Sequence, residues 1–295
     1  MSTHQIDEEK NRILPKTLYL VATPIGNLAD LSPRAVKILS QVDFIAAEDT
    51  RNTQKLLSCF QISGKELVSY FEHNKRQKGE YIISRIEAGE SCALVTDAGT
   101  PAVSDPGEDL VRLCAERGIT VTGAPGCCAA VHALSLSALS TGRFAFEGFL
   151  SVNKGERKKR LEEIKNERRT MIFYEAPHKL IATLDDLLAT FGGERRITLC
   201  RELTKMNEEL LYTTLKDAVS LYQERSPKGE YVLILAGLDE CPSEKTEEEN
   251  PLCSLSPQEH LAYYEEKGLA KMDAMKAAAK DRGISKSDFY RMLHQ

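Results

Sequence analysis

The segment LVTDAGTPAVSDPG, Leu94 to Gly107, is decisive for the fold because a short apolar strand runs directly into a loop of small, turn-forming and acidic residues. Gly99 and Pro101 interrupt strand pairing and leave backbone groups free at the carboxyl end of that strand. Asp105 and Pro106 predict the N-cap and the first residue of a following helix, so that free amides face the loop. The pattern predicts a binding loop for a small zwitterionic ligand.

Two further stretches have the same design. Ser32 and Pro33 predict a helix start after the loop ATPIGNLADLSPR, residues 22–34, and TVTGAPGCCAA, residues 120–130, is the third stretch. Three such strand–loop–helix junctions predict a cleft at the carboxyl ends of parallel strands, where open α/β sheets bind their ligands. Each junction taken alone is also compatible with a well-capped turn.

The composition is that of an ordinary globular protein. The chain has 295 residues, 42% hydrophobic and 28% charged, which is enough for two modest cores and an appendage. No apolar run approaches the roughly 20 residues that span a bilayer, and the start MSTHQIDEEKNR lacks the apolar region of a signal peptide. We therefore expect a cytoplasmic protein.

The net charge of −5 is concentrated in one place. Residues 239–250 account for the whole acidic excess, so the remainder of the chain is balanced and has room for a basic face. The candidate is the basic stretch 154–169, which is either a solvated helix or a patch that contacts phosphates. Its candidate RNA-binding residues are Lys154, Arg157, Lys158, Lys159 and Arg160.

The eight cysteines show no CxxC pair and no spacing with histidine that predicts a zinc site. HExxH is also absent, so we expect no metal site. Cys127 and Cys128 lie in the third loop, where they either line a pocket or fill the core.

Alternating β-rich and helical stretches predict an α/β protein built from parallel βαβ units, at least in its first part. A helix over 128–139 leads to a second set of strands, and the last residues predict a bundle of about three helices, which either contacts nucleic acid or serves dimerisation or packing. The expected organisation is a flexible N-terminus at 1–16, α/β domains at 17–125 and 126–237, an acidic linker at 238–256 and a helical module at 257–295.

The chain has no GxGxxG after its first strand, no GxxxxGK[ST] and no GxSxG. A standard dinucleotide fingerprint, a P-loop and a nucleophile elbow are therefore excluded. Acidic and basic residues instead follow three predicted strands, where open-sheet sites lie. The candidate catalytic residues are Asp49, Arg51, Glu175 and Lys205, each of which is equally compatible with a structural ion-pair network.

Six stretches in order resemble the ribosomal RNA small-subunit methyltransferase I family. They are LVATPIGNLADLSPRAV, AAEDTRNTQKLL, LVTDAGTPAVSDPG, GAPGCCAAVHALSLSALSTGRFAFEGFL, FYEAPHK and RELTK. The similarity covers roughly residues 17–236, and the tail looks like the helical module of that family. The resemblance implies a class III, tetrapyrrole-methylase-like enzyme with two α/β domains, a cofactor cleft between them, and a homodimer.

The resemblance also implies the reaction, which is methyl transfer from S-adenosylmethionine to the 2′-hydroxyl of a decoding-site cytidine in 16S rRNA, with the 30S subunit as the expected partner. By analogy, residues of three loops and of the second domain surround the donor. They are Pro24, Asp97, Gly99, Thr100, Pro101, Val103, Cys127, Cys128, Tyr174, Leu203 and Ala236.

Two departures from the family pattern matter. Lys179 stands where arginine is expected, which replaces a bidentate phosphate donor by a point charge. Cys127 and Cys128 stand where proline and serine are usual, which leaves donor contacts there to the backbone. Two alternatives remain open: a small-molecule methylase of the tetrapyrrole type and a non-catalytic RNA-binding or assembly factor.

Overall fold

The computed structural model describes residues 12–238, 252, 255–282 and 284–293, and its first five strands form one parallel sheet. The strand order is β3-β2-β4-β1-β5, and every neighbouring pair is parallel. This confirms the expected parallel βαβ units. The strands are β1 (Thr17–Val21), β2 (Phe44–Ala47), β3 (Glu66–Ser69), β4 (Cys92–Val95) and β5 (Thr120–Ala124).

Two helices cover each face of this sheet. Apolar side chains of α1 (Pro33–Gln41) and α2 (Thr50–Cys59) pack against one face. Those of α3 (Lys75–Glu87) and α4 (Gly107–Glu116) pack against the other. The connections after β1 and β2 run toward β3, whereas the connection after β4 runs back toward β5, so crossovers of one hand place their helices on opposite faces. This reversal is the topological switch point at which open sheets bind ligands.

The second sheet is mixed, with the strand order β6-β7-β10-β8-β9. β6 and β7 are parallel, whereas β10 is antiparallel to both β7 and β8, and β9 is antiparallel to β8. The carboxyl ends of β7 and β8 therefore share an edge with the amino end of β10. The strands are β6 (Phe144–Phe149), β7 (Thr170–Glu175), β8 (Arg196–Arg201), β9 (Glu209–Thr214) and β10 (Tyr231–Leu235).

Helix α5 (Ala129–Leu136) connects the two sheets and covers one face of the second, packing against β7, β8 and β10. The other face carries α6 (Lys154–Glu163), α7 (Leu180–Phe191) and α8 (Leu215–Glu224). The loop before α5 follows β5 of the first sheet, whereas α5 itself packs on the second sheet. The third predicted loop therefore lies at the junction of both sheets.

The described residues fall into two compact units that divide between Asp239 and Glu240. The second unit contains α9 (Pro257–Glu266), α10 (Lys271–Asp281) and α11 (Lys286–Leu293), which confirms the expected three helices. The expected flexible N-terminus lies largely outside the described residues, as does the acidic linker. None of the helices in the described part of the chain is long and apolar enough to cross a membrane.

Two helix starts can be compared with the predicted capping residues: that of α1 is confirmed, and that of α4 is corrected by one residue. Ser32 accepts a hydrogen bond from the amide of Ala35, with Pro33 as first helical residue, as expected. Helix α4, however, begins at Gly107, and Pro106 is its cap. The Asp105 carboxylate accepts from the amides of both Gly107 and Ala102, so it closes the loop and keeps Pro106 outside the helix.

Helix α5 ends at Leu136, three residues earlier than predicted. The Ser137 hydroxyl donates to the carbonyl of Leu134 and accepts from the amide of Leu139. These bonds compete with the helical pattern and end it.

A three-residue ion-pair cluster stabilises the site edge of the second sheet. Glu209 at the start of β9 accepts a bidentate pair of hydrogen bonds from Arg225, at 2.7 and 2.6 Å, and one from Arg201 at 2.8 Å. The hydrogen bonds from Arg225, followed by those from Arg201, outweigh burial and lower the pKa of Glu209 to about 2. The cluster therefore holds the end of β8 against the start of β9.

Replacing Glu209 by Gln is expected to lower the free energy of unfolding by about 1 kcal/mol at pH 7. Because folding lowers this pKa, the carboxylate stabilises the protein fully above the ordinary glutamate pKa, and its contribution is lost as the pH falls toward about 2. Urea titrations at pH 7 and pH 3 should show a smaller gap to wild type at pH 3. Glu116→Gln, at an exposed position on α4, is the control; a Glu209→Gln gap independent of pH would contradict this account.

Candidate functional site

The loops after β1 and β4 are joined by a reciprocal pair of backbone hydrogen bonds. The amide of Thr23 donates to the carbonyl of Gly99 at 2.9 Å, and the amide of Gly99 donates back at 3.0 Å. The Thr23 hydroxyl also donates to the carbonyl of Thr96 at 3.1 Å. Gly99 has a φ of +87°, a conformation that disfavours side chains. Two of the three predicted loops therefore form one rigid corner.

The loop after β2 adds an acidic wall. Glu48 accepts a 2.6 Å hydrogen bond from the hydroxyl of Thr96. Asp97 accepts from the amide of Asp49 and from the side chain of Asn52. Burial, followed by the nearby charge of Glu48, raises the pKa of Asp97 above its ordinary value. Two carboxylates thus face the same space, which favours a positively charged ligand.

The third loop is tied to this corner. The Thr100 hydroxyl donates to the carbonyl of Cys127 at 2.8 Å. Ala102 and Ser104 both have positive φ, at 65° and 64°, a left-handed conformation that is strained for residues with a side chain. The loop is therefore held in an unusual shape by its own bonds to Asp105 and to the third loop.

Tyr174 at the end of β7 brings the second sheet to the site. Its hydroxyl accepts a 3.1 Å hydrogen bond from the amide of Ala130, at the start of α5. Burial raises the pKa of Tyr174 to about 12, so the phenol stays protonated at neutral pH and can donate to a ligand. Next to it, Glu175 accepts from the amide of Ala176 and from the hydroxyl of Thr183.

The RELTK loop after β8 completes the second side. Lys205 donates to Glu202 at 2.8 Å and to Glu230 at 2.9 Å. Partial burial opposes its charge, but these hydrogen bonds outweigh burial and raise the pKa of Lys205. The ammonium therefore stays charged, which suits electrostatic stabilisation; as a base it would first have to lose this proton.

The RELTK loop lies directly against the first loop. A Cβ atom on Gly26 would lie 2.5 Å from Cγ of Lys205 and 2.8 Å from Oγ1 of Thr204, so only glycine fits there. Thr204 itself has a φ of 65°, and its buried hydroxyl has no partner among the described residues. The first sheet thus touches the second through a glycine contact.

These loops enclose a cavity of about 460 Å³, within the usual size range of small-molecule sites. Seven of the residues proposed to hold the donor line it, together with two proposed catalytic residues. The first group is Asp97, Gly99, Thr100, Val103, Cys128, Tyr174 and Leu203, and the second is Glu175 and Lys205.

The other four proposed donor residues lie elsewhere. Cys127 lines a neighbouring cavity of about 600 Å³, which shares Ile25 and Cys128 with the first. Pro24 lines a third cavity of about 260 Å³. Pro101 is buried and does not line the 460 Å³ cavity.

Ala236 departs furthest from expectation. It is fully buried, and its amide donates to the carbonyl of Arg196 at the start of β8. Because β10 is antiparallel to β8, the residues of β10 that reach the cavity are Tyr231 and Val232 at its other end.

Asp49 and Arg51 also lie outside the 460 Å³ cavity. Asp49 is the N-cap of α2 and accepts hydrogen bonds from the Arg51 side chain, at 3.1 and 2.6 Å. These hydrogen bonds lower the pKa of Asp49 to about 2, which makes its carboxylate a weak base. Since its amide donates to Asp97, Asp49 is placed to position that residue.

The five basic candidates lie on α6, but they differ in what they contact. Arg157 pairs with Asp186 at 2.6 Å, and Arg160 pairs with Glu147 at 2.7 Å. Lys154, Lys158 and Lys159 are exposed, with no ion pair recorded for them within the described part of the chain. The two arginines therefore form ion pairs within the protein, and the three lysines are exposed for contact with a phosphate.

The site residues chosen from the sequence leave out two prominent cavity residues, Glu48 and Phe149. Glu48 lies in the acidic cluster singled out after β2, but only its hydrogen bond to Thr96 shows that it, and not Asp49, faces the cavity. Phe149 ends β6 with 61% of its surface exposed. The sequence FAFEGFL does not predict which way Phe149 points, because a register shift interrupts the alternation of side-chain direction along β6.

Comparisons with known proteins agree with this architecture. Residues 17–219 match the model of the tetrapyrrole (corrin/porphyrin) methylase family. The structure of uroporphyrin-III C-methyltransferase from Thermus thermophilus, in complex with S-adenosyl homocysteine, superposes with a TM-score of 0.53 at 16% identity, covering 75% of this chain and 97% of that one. At this identity the likeness concerns the fold.

Curated relatives are much more similar. The ribosomal RNA small subunit methyltransferase I of Halalkalibacterium halodurans is 49% identical over 280 residues, 95% of either chain. The protein of the same name from Bacillus subtilis is 43% identical over 94% of either chain. The chain therefore belongs to the tetrapyrrole methylase family and, within it, to the ribosomal RNA small subunit methyltransferase I group.

Proposed function

We propose that this protein transfers the methyl group of S-adenosylmethionine to the ribose 2′-hydroxyl of a decoding-site cytidine in 16S rRNA. The main support for this proposal is the similarity to relatives named for ribosomal RNA methylation. One of them is 49% identical over 95% of the chain. This similarity favours RNA over a small tetrapyrrole acceptor, because the uroporphyrin-III C-methyltransferase of Thermus thermophilus is only 16% identical to this chain.

The cavity suits the donor by its chemistry. S-adenosylmethionine supplies an electrophilic methyl group on a positively charged sulfur, together with an ammonium and a carboxylate. Glu48 and Asp97 offer negative charge to the cationic groups, and the Tyr174 hydroxyl offers a hydrogen bond. The volume of about 460 Å³ suits a ligand of this size.

In this proposal, the residues of the chain position the donor and the acceptor and form no covalent bond with either. In-line transfer needs the acceptor hydroxyl held in one orientation and its proton removed. The charged ammonium of Lys205 would stabilise negative charge on the acceptor oxygen. Glu175, which accepts a hydrogen bond from Thr183, would hold the carboxyl end of β7 in place. Asp49 and Arg51 would act at a distance, by holding α2 against Asp97.

The partner and the assembly complete the proposal. A ribosomal substrate implies the 30S subunit as partner and the cytoplasm as location. A homodimer is supported by exposed apolar side chains around β9, a sheet edge: Tyr212 is 56% exposed and Val131 on α5 is 54% exposed. Sheet edges and apolar patches of this kind are common dimer surfaces.

The direct test is transfer from labelled S-adenosylmethionine into 30S particles that lack the modification. We expect label in a single cytidine, recovered after nuclease digestion as the 2′-O-methyl nucleoside. Label on a base, or only in a porphyrinoid acceptor offered in parallel, would contradict the proposal. A protein that binds 30S particles but not the donor in calorimetry would be a non-catalytic factor.

Asp97→Asn is expected to weaken binding of S-adenosylmethionine by about 2 kcal/mol, roughly thirtyfold in Kd, because a charged hydrogen-bond acceptor is lost. Since burial raises the pKa of Asp97, the wild-type affinity should also fall as the pH is lowered, starting above the ordinary aspartate pKa, and less so in the variant. Calorimetry measures both, with the exposed Asp185→Asn as control. Unchanged affinity in Asp97→Asn would remove this residue from the donor site.

Replacing Lys154, Lys158 and Lys159 together by Ala is expected to weaken RNA binding and to reduce the dependence of log Kd on log salt by about 2, as phosphate contacts are lost. Donor affinity should not change. Lys216→Ala, at an exposed position on α8, is the control. An unchanged salt dependence would show that α6 is a solvated helix.

A further inference from the structure

A β-bulge at the end of β6 places an aromatic ring at the mouth of the cavity. The register of β6 against β7 shifts between Phe146 and Gly148, and Gly148 has a φ of +63°. Residues three apart in a regular strand point to opposite faces. The bulge instead brings Phe146 and Phe149 onto the same neighbour, the ring of Tyr174.

The three rings form a cluster of fixed geometry. Phe146 and Phe149 contact the Tyr174 ring edge to face, with centroids 5.1 and 5.5 Å apart and interplanar angles of 73° and 63°. The Tyr174 hydroxyl is held in turn by the amide of Ala130. Phe149 is therefore oriented by its neighbours although 61% of its surface is exposed. Rigid aromatic groups bind with little loss of conformational entropy.

Exposed apolar residues and a basic helix lie near Phe149 along the chain and around the cavity. Val103, 42% exposed, lines the same cavity, and Val152, 73% exposed, follows β6. The strand lies directly against the loop after β4, since a Cβ atom on Gly148 would lie 3.0 Å from the hydroxyl oxygen of Ser104. Helix α6 with its exposed lysines begins at Lys154, five residues after Phe149.

We propose that Phe149 is the stacking platform for the nucleobase of the nucleotide whose ribose is methylated. This inference rests on the proposed RNA substrate and deepens it. A nucleotide within folded RNA must leave its stack before its 2′-hydroxyl can enter a cavity, and unstacked bases are held on exposed aromatic rings. Stacking at Phe149 would leave the ribose at the mouth of the cavity and the flanking phosphates toward α6.

Phe149 contacts no reacting atom in this account, so it is a positioning residue. Its loss is expected to raise the Kd and KM for RNA by about tenfold while the Kd for the donor stays constant. Phe149→Tyr, which keeps a ring, should restore most of the RNA affinity, whereas Phe149→Leu, which keeps only apolar surface, should not. Phe144→Leu is the matched control, because Phe144 is also exposed but lies at the opposite end of β6.

A fluorescent variant tests stacking itself. The chain contains no tryptophan, so Phe149→Trp and Phe144→Trp each introduce a single reporter. Titration with a hairpin that carries the decoding-site sequence of 16S rRNA should quench the fluorescence of Phe149→Trp and leave that of Phe144→Trp unchanged. Each variant is first checked for wild-type donor affinity by calorimetry with S-adenosylmethionine, which establishes that the site is folded.

Four results would overturn the inference. Equal RNA affinity in Phe149→Leu and Phe144→Leu would show that the ring has no role. Quenching by S-adenosylhomocysteine alone, with weakened donor binding in Phe149→Leu, would assign the ring to the donor adenine. A concentration-dependent shift in the emission of Phe149→Trp without RNA would assign the ring to a second copy of the chain. Failure of the wild type to methylate RNA would remove the proposed function as well.

Discussion

The hydrogen-bond pair between Thr23 and Gly99 is the constraint on which the site depends. It joins the loops after β1 and β4, two neighbouring strands whose connections run to opposite faces of the sheet. Once this corner is closed, Thr96 and Asp97 meet the loop after β2 through Glu48 and Asn52. The cavity therefore depends on the strand order, on this pair of backbone bonds and on the side-chain bonds that join the other loops to it.

The two sheets supply different groups to the cavity they share. The parallel sheet contributes carboxylates, of which Asp97 is held close to other negative charge. The mixed sheet contributes the phenol of Tyr174 and the ammonium of Lys205, which keep their protons, beside the carboxylates of Glu175 and Glu230. Negative charge on one side favours a cationic donor, and protonated groups on the other favour an acceptor oxygen that becomes negative during transfer. Gly26 allows the two sides to approach each other.

The sequence was sufficient for the strands, because apolar runs bounded by glycine and proline mark their ends, but the strand order of neither sheet follows from the residues. Of the residues that the resemblance implied in the loop after β4, Asp97, Gly99, Thr100 and Val103 line the cavity, and their contacts with a donor stay a prediction. Three features depend on tertiary contacts that the residues alone do not show. The antiparallel direction of β10 places Ala236 away from the cavity, Arg51 pairs with Asp49, and a bulge changes the direction of Phe149. The resemblance to a known family named the chemistry, which no local spacing could have supplied.

The most direct measurement is a crystal structure of the protein with S-adenosylhomocysteine. The account predicts the ligand in the cavity of about 460 Å³, in contact with Asp97, Thr100 and Tyr174. A ligand found instead in the cavity of about 600 Å³, beside Cys127 and His132, would contradict it. In that case the corner formed by Thr23 and Gly99 would be a structural joint, and the donor site would have to be rebuilt around the third loop.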